Sequence, residues 1–384
     1  LVEWPVALTG SFEDRFLAVP QEALVSSMKS HQKYFPVLDA EGALLPHFIF
    51  ISNIESTDAA QVIDGNERVI RPRLADADFF FSSDKQASLK SRVERLQSIV
   101  FQQKLGTLYD KAQRLQVLAR ELAPEVGADT SLAERAALLS KTDLLTLMVG
   151  EFAELQGIAG RYYALNDGET EEVADALDQQ YWPAYAGDGL PVGPVAVTLA
   201  LADRLDTLVG IFGLGQPPTG SKVPFALRRA SLGVLRILVE KALPMDLRQC
   251  LTLAADAYPE GTLLPDTVEQ VTQYMLERLR AWYEDAAMPT EVFNAVSARD
   301  LSVPLDIDHR VRAVAAFTEL PEAAALAAAN KRVSNILSKQ AAEIEIGEVS
   351  EDLLTEAAEM QLAAQLSARQ PNFEALLADG RYTD

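Results

Sequence analysis

From about residue 85 to residue 339, apolar side chains recur at steps of three and four residues, the spacing that places them on one face of an α-helix. The clearest segments span residues 88–123, 131–152, 194–212, 224–243, 267–286 and 322–339. Each such helix has an apolar face that must be buried against another element. The sequence therefore predicts a mainly α protein.

The first 60 residues follow a different pattern. Residues 5–10 and 15–20 alternate or run apolar and predict strands, and residues 21–30 predict a short helix. Residues 33–54 predict two strands around a turn at residues 39–42. We therefore expect a small N-terminal α+β module in front of the helical body.

Composition limits the possible functions. The formal net charge is −22, which argues against nucleic-acid binding through the overall field, although a local basic patch can act over roughly 10 Å. The single cysteine, Cys250, excludes an intrachain disulfide and fits a reducing cytoplasm. The most apolar stretch, residues 194–215, has Asp203, Arg204 and Asp206 near its centre, and these charges exclude a membrane span on energetic grounds.

Residues 201–208, LADRLDTL, resemble the last metal-ligand helix of the HD-type phosphohydrolases. By that resemblance Asp203 matches a metal-binding aspartate, and Asp143 in residues 137–146 matches the aspartate of the His-Asp pair. Thr142 stands where that pair needs its histidine, so the imidazole ligands of such a site are missing. We therefore expect no metal and no catalytic centre in this chain.

A structural role for the same two aspartates is the alternative. Asp143 and Asp203 would then be hydrogen-bonded residues of a helical core, with Lys141 or Arg204 nearby to balance their charge.

Basic residues cluster locally despite the acidic total. The groups are Arg68, Arg71 and Arg73; Lys222, Arg228, Arg229 and Arg236; and Lys331, Arg332 and Lys339 with Asn335. Arginine and lysine beside aromatic residues suit the backbone and the unstacked bases of RNA. The candidate RNA-binding residues are Arg71, Arg73, Arg228, Arg229, Lys331, Arg332 and Asn335. The competing interpretation is that they form ion pairs or solvated helix faces, and that Arg71 and Arg73 pair with Asp76 and Asp78.

Long segments of the chain resemble the β subunit of bacterial glycyl-tRNA synthetases. They span residues 31–37, 45–56, 65–84, 101–111, 141–165, 203–240 and 323–337. One of them is GNERVIRPRLADADFFFSSD and another is AAALAAANKRVSNIL. The resemblance covers essentially the whole chain.

The resemblance implies an α2β2 ligase in the cytoplasm that attaches glycine to its tRNA. ATP and Mg would be used through the α subunit, and this chain would bind tRNA without a cofactor of its own. Residues 1–65 would end a module similar to the B3/B4 region of phenylalanyl-tRNA synthetase. Residues 66–318 would form an HD-like helical domain with lost metal ligands, and residues 319–384 would begin a DALR-type anticodon-binding bundle. We also expect the chain to lack N-terminal modules and the end of that bundle.

Two other functions remain open from the residues alone. One is a metal-dependent phosphohydrolase of the HD type, and the other is a helical scaffold that holds a partner protein and has no role in RNA binding.

Overall fold

The computed structural model describes residues 2–218, 224–340 and 353–383. Most of these residues lie in α-helices, and one three-stranded antiparallel sheet lies near the N-terminus. The predicted mainly α fold with a small N-terminal α+β module is therefore confirmed. The described residues belong to two compact units, one drawn from Leu1–Ile237 and Cys250–Val271 and the other from Leu238–Gln249 and Thr272–Asp384.

The secondary-structure elements have the following bounds. The strands are β1 (Val6–Ser11), β2 (Phe35–Leu38), β3 (Leu44–Ser52), β4 (Val100–Gln102) and β5 (Gly106–Thr107). The helices are α1 (Gln21–Ser26), α2 (Ala59–Asp84), α3 (Leu89–Arg92), α4 (Leu108–Val126), α5 (Thr130–Leu139), α6 (Leu147–Glu151), α7 (Ile158–Asn166), α8 (Glu171–Gln179), α9 (Pro194–Gly213), α10 (Leu227–Glu240), α11 (Leu247–Asp256), α12 (Thr267–Asp285), α13 (Thr290–Ser297), α14 (Pro304–Thr318), α15 (Ala323–Gln340) and α16 (Ala357–Ala378).

The N-terminal sheet has the order β1-β3-β2, and both pairs are antiparallel. The predicted hairpin of β2 and β3 is confirmed, and the Asp39 carboxylate closes its turn by accepting hydrogen bonds from the backbone N–H groups of Glu41 and Ala43. The strand predicted at residues 15–20 is wrong, because Asp14–Ala18 form a 3-10 helix that buries Phe16 completely. A short apolar run does not by itself distinguish a strand from a helical turn.

Helix α2 begins at Ala59, well before the predicted change of period near residue 85. Its N-cap is Asp58, whose side chain accepts a hydrogen bond from the Gln61 N–H. The helix contains the three consecutive phenylalanines, which point in different directions: Phe79 is 64% exposed, whereas the Phe81 ring stacks on Tyr163 at 5.6 Å. The boundary predicted at residue 65 lies inside this helix, and the boundaries at residues 65 and 318 stay predictions.

Two segments that we predicted as continuous helices are interrupted. Residues 88–123 contain α3, the short hairpin of β4 and β5, and only then α4. The break occurs at Gly106, which has a φ of +88°, and at Thr107, which forms a capping box with Asp110. Residues 131–152 are divided between α5, a 3-10 turn at Thr142–Leu145 and α6, so Asp143 lies in that turn and not on a helix.

Helix α9 is the central helix of the first unit. It packs against α4, α5 and α8, and nearly all of its residues are buried. Gly210 allows one of these close contacts, because a Cβ atom there would collide with the Tyr258 hydroxyl and the Leu105 side chain. The apolar stretch with charges at its centre is therefore a buried helix, and no helix among the described residues is both long and apolar enough for a membrane span.

In the second unit, α13 packs against α14. The Tyr283 hydroxyl donates to the buried Asp308 carboxylate at 2.7 Å, and Ser302 accepts the Leu247 N–H at 2.8 Å through its backbone carbonyl. By contrast, the side chains of α15 from Leu326 to Ser338 and most of those of α16 are exposed.

Candidate functional site

Asp203 lies on α9 between two lysine side chains from other parts of the fold. The Nζ of Lys111, on α4, lies 3.0 Å from the Asp203 Oδ1, and the Nζ of Lys141, just after α5, lies 3.1 Å from the Oδ2. Both lysine side chains are at most 5% exposed. One carboxylate therefore receives an ammonium group on each of its two oxygens.

A second buried carboxylate extends this cluster. Asp206, one turn further along α9, accepts hydrogen bonds from Lys111 Nζ at 2.8 Å and from Arg114 Nε at 2.6 Å. The Tyr258 hydroxyl donates to the backbone carbonyl of Asp206 at 2.9 Å, and the Arg114 guanidinium lies over the Tyr258 ring. Lys111 therefore joins Asp203 and Asp206 in one network.

The charges in this network fix the protonation states of its carboxylates. Burial alone would raise the pKa of Asp203, but the charges and hydrogen bonds of Lys111 and Lys141 outweigh burial and hold that pKa well below its usual range. At Asp206, burial raises the pKa, whereas the charges and hydrogen bonds of Lys111 and Arg114 lower it. The net result is again a lowered pKa. Both groups are therefore anions at neutral pH.

Asp143 is in a different environment. It is 2% exposed, and its Oδ2 accepts the Gly157 N–H at 2.6 Å, whereas its Oδ1 has no hydrogen-bond partner among the described residues. Burial raises the pKa of Asp143 to about 6, although the Gly157 N–H and the charge of Lys141 act in the opposite direction. The carboxyl therefore titrates close to neutral pH.

Replacing Asp143 with Asn should raise the free energy of unfolding relative to that of the unsubstituted chain, and this gain should be larger at neutral pH than at acid pH. Because the folded pKa lies above the unfolded one, the stabilisation by protonated Asp143 is complete below about pH 4 and is lost as the pH rises through about 6. As the pH rises between these limits, the free energy of unfolding of the Asp143→Asn variant should increase by up to roughly 3 kcal/mol relative to that of the unsubstituted chain. Urea unfolding of both proteins across this range measures the gain.

The matched control is Asp76→Asn, at an exposed carboxylate on α2. Because Asp76 is exposed, this substitution should change the free energy of unfolding by at most about 0.5 kcal/mol. If Asp143→Asn changed it by no more than this at every pH, burial of the Asp143 carboxyl would not destabilise the fold.

The donor set around Asp143 and Asp203 does not fit a divalent metal. Among the described residues, no group of three His, Cys, Asp or Glu side chains is placed to hold a metal ion. Thr142 uses its hydroxyl to donate to the Leu139 carbonyl. Lysine ammonium groups lie where a metal bound to Asp203 would have to bind. The structural interpretation of the two aspartates, with Lys141 nearby, agrees with this geometry.

A cavity of about 400 Å³ opens beside this network. Its lining comprises Gln156, Gln180, Tyr181, Pro183, Ala184, Asp203, Arg204, Thr207, Phe225, Ala226, Arg229 and Ala230. It therefore brings together two residues that sequence reasoning had placed in separate hypotheses: Asp203, as a degenerate metal position, and Arg229, as a basic candidate for RNA binding.

Arg71 and Arg73 are both exposed on α2, but the predicted ion pairs with Asp76 and Asp78 are wrong. Arg71 pairs with Glu13 at 2.8 Å, and Asp78 lies 4.0 Å from Arg15. Asp76 lies three positions after Arg73 and five after Arg71, yet neither arginine pairs with Asp76 or Asp78 among the described residues. Arg73 has no ion-pair partner in the described part of the chain.

The other basic candidates lie on α10 and α15. Arg228 and Arg229 are exposed at the start of α10, whereas Lys222 lies outside the described residues. Lys331, Arg332 and Asn335 are exposed on α15 and, with Ala328 and Ile336, line a shallow groove. These three side chains therefore share one accessible surface.

The family pattern described as "Glycyl-tRNA synthetase beta subunit" matches residues 1–298. The chain belongs to the glycyl-tRNA synthetase β-subunit family. The predicted resemblance is confirmed, and close relatives agree with it. The glycine–tRNA ligase beta subunit of Edwardsiella ictaluri is 54% identical over 384 residues, covering 100% of this chain and 56% of that protein. That of Hahella chejuensis is 56% identical over 384 residues, covering 100% of this chain and 55% of that protein.

As a member of the β-subunit family, this chain spans little more than half the length of these relatives. Sequence reasoning identified Asp143 and Asp203 but missed the residues that surround them, namely Lys111, Arg114, Gln156 and Tyr181. One signal was available in the sequence. Lys111 and Arg114 occupy positions three apart among the apolar residues of α4, and charges at positions that should be buried need partners.

Proposed function

We propose that this chain is a tRNA-binding, non-catalytic part of the β subunit of a cytoplasmic α2β2 glycine–tRNA ligase. Aminoacylation, with its ATP and Mg, would take place on the α subunit. The observation that carries this proposal is the identity of 54–56% with glycine–tRNA ligase beta subunits along the whole chain. In support, the two aspartates best placed to hold a catalytic metal are engaged by lysines or by a backbone N–H group.

The proposal extends to the modules of the chain. Residues 1–65 would end a B3/B4-like module, residues 66–318 would form an HD-like helical domain, and residues 319–384 would begin the anticodon-binding bundle. The meeting of Asp203 with Lys111 and Lys141 supports an HD-like body in which ammonium groups neutralise the carboxylate in place of a metal. The same geometry argues against the HD-type hydrolase.

Helix α15 offers the best RNA-binding surface among the basic candidates. Lys331, Arg332 and Asn335 are exposed together, and no ion pair engages Lys331 or Arg332 within the described residues. By contrast, Arg71 already has a carboxylate partner. Unpaired cations contribute most to phosphate binding, because they need not give up an existing partner.

Replacing Lys331 and Arg332 together with alanine should weaken the binding of glycine tRNA and reduce its dependence on salt. The slope of log K against log salt concentration is negative, and each lost phosphate contact reduces its magnitude by about 0.9. The double variant should therefore have a slope smaller in magnitude by about 2. Fluorescence anisotropy of labelled glycine tRNA with the full-length α and β subunits, between about 50 and 200 mM salt, measures both quantities.

Arg280→Ala is the control, because Arg280 is a similarly exposed cation on α12 that has an ion-pair partner, Glu284. Its tRNA affinity and salt slope should match those of the unsubstituted protein. If the double variant also bound tRNA with unchanged affinity and slope, the α15 surface would not contact the nucleic acid. A β subunit that still assembled with α, and whose loss left tRNA affinity unchanged, would favour the scaffold interpretation.

A further inference from the structure

The cavity beside Asp203 has an excess of positive charge. Five cationic side chains lie in its lining or in the network behind it, and they are Lys111, Arg114, Lys141, Arg204 and Arg229. The carboxylates of the same region are Asp143, Asp203 and Asp206. Such an excess in a chain of net charge −22 favours an anion in this cavity over a cation.

Two of these cations already use most of their N–H donors within the protein. Lys141 donates to Gln180 at 2.7 Å and to Tyr181 at 3.3 Å in addition to its contact with Asp203. Arg204 donates to the backbone carbonyls of Gln180, Ala200, Trp182 and Pro183. These residues supply charge, and other donors of the lining can hold a ligand.

Three other side chains of the lining also retain unused donors. The Tyr181 hydroxyl accepts from Gln156 at 2.7 Å and from Lys141, but its own O–H has no acceptor in the described part of the chain. The Gln156 amide has a second N–H, and within the described ranges one terminal nitrogen of Arg229 is engaged, by the Ala184 carbonyl at 3.4 Å. Burial and the negative charges of Asp143 and Asp203 raise the pKa of Tyr181 further, so this phenol stays protonated and can donate.

We propose that this cavity binds a small phosphate monoester, which Tyr181, Gln156 and Arg229 hold through its phosphate oxygens. Phosphate offers several acceptor oxygens and carries more charge than a carboxylate, so it matches three converging donors and the surplus of cations. A volume of about 400 Å³ accommodates a ligand the size of a sugar phosphate or a mononucleotide. The residues of this site differ from those of the α15 surface, and the proposal does not depend on tRNA binding.

Isothermal titration of the full-length β subunit with ribose 5-phosphate and with AMP tests this site. We expect saturable binding of at least one of them, with one site per chain and a Kd between about 1 μM and 1 mM. Tyr181→Phe and Arg229→Gln should each weaken that binding at least tenfold. Tyr181→Phe keeps the ring and removes the hydroxyl, which also accepts from Gln156 and Lys141. Arg229→Gln alters an exposed side chain.

Two substitutions outside the lining serve as controls. Tyr185 is 66% exposed and lies outside the lining, and Arg68 is exposed and paired with Asp64. Tyr185→Phe and Arg68→Gln should leave the Kd unchanged. Absence of saturable binding by both phosphate monoesters, equal binding in Tyr181→Phe and Arg229→Gln, or binding of succinate in preference to the phosphates would each overturn the proposal.

Discussion

Replacing Asp84 with alanine should lower the free energy of unfolding by on the order of 3–5 kcal/mol. Asp84 ends α2, is 4% exposed, and accepts the backbone N–H groups of Leu147 and Met148 at 2.9 and 3.0 Å. It thereby satisfies the first N–H groups of α6, where a negative charge is also favourable. Urea unfolding of the Asp84→Ala variant measures the loss.

The large effect is expected because two further groups depend on the same carboxylate. The Tyr163 hydroxyl donates to Asp84 at 2.9 Å, and the Arg92 guanidinium, only 5% exposed, lies 3.7 Å from it. Removing Asp84 leaves both buried without their partner, and this costs more than the loss of one hydrogen bond. In the variant, Arg92 still donates to the backbone carbonyls of residues 84 and 87, so its charged guanidinium remains buried.

Asp64→Ala is the control on the same helix. Asp64 pairs with Arg68 on an exposed face of α2, and exposed pairs typically contribute at most about 1 kcal/mol. If Asp84→Ala cost no more than this control, α6 and α7 would not be held to α2 through that carboxylate.

Helix positions could be predicted from the sequence wherever the apolar period ran unbroken. Helices α9, α12 and α15 lie where the period placed them, because each has an apolar face spanning several turns. The breaks were missed where a few polar atoms decide the local structure. Thr107 and Asp110 close a capping box in front of α4, and Thr146 caps α6. Such hydrogen bonds leave the hydrophobic period almost unchanged, so period analysis does not detect them.

The candidate site could be predicted only in part, for a related reason. Asp143 and Asp203 were found by their resemblance to a known motif, in which Thr142 stands where the histidine ligand belongs. Their partners come from elsewhere in the chain: Lys111 is 92 positions from Asp203 and meets it only because α4 packs along α9. Sequence spacing gives the neighbours along one helix but not those across a helix pair.

Helix α9 therefore combines an apolar composition with buried charges. It is the most apolar stretch of the chain, yet its buried side includes charges that are each matched by a cation or a carbonyl group. The same charges that exclude a membrane span join α9 to α4 and to the residues after α5. A buried network of this kind should fail as a unit when one carboxylate is removed.

Replacing Asp206 with alanine is the direct test of that dependence and should also cost on the order of 3–5 kcal/mol. Asp206 is 1% exposed and is shared by Lys111 and Arg114, whose side chains are 3% and 8% exposed. Without Asp206, Lys111 keeps Asp203, whereas among the described residues Arg114 keeps the Leu105 carbonyl at 3.1 Å and the Tyr258 ring. The loss should therefore come mainly from an unpaired guanidinium.

A double-mutant cycle isolates this cause. Arg114→Met combined with Asp206→Ala removes the unpaired charge together with its partner, so the double variant should unfold with a smaller loss than the sum of the two single variants, by about 1–3 kcal/mol. Asp175→Ala, which breaks the partly exposed pair with Arg161, is the control and should cost about 1 kcal/mol or less. Additive losses in the cycle would mean that Asp206 and Arg114 stabilise the fold independently, and that α9 is held to α4 by packing and not by its charges.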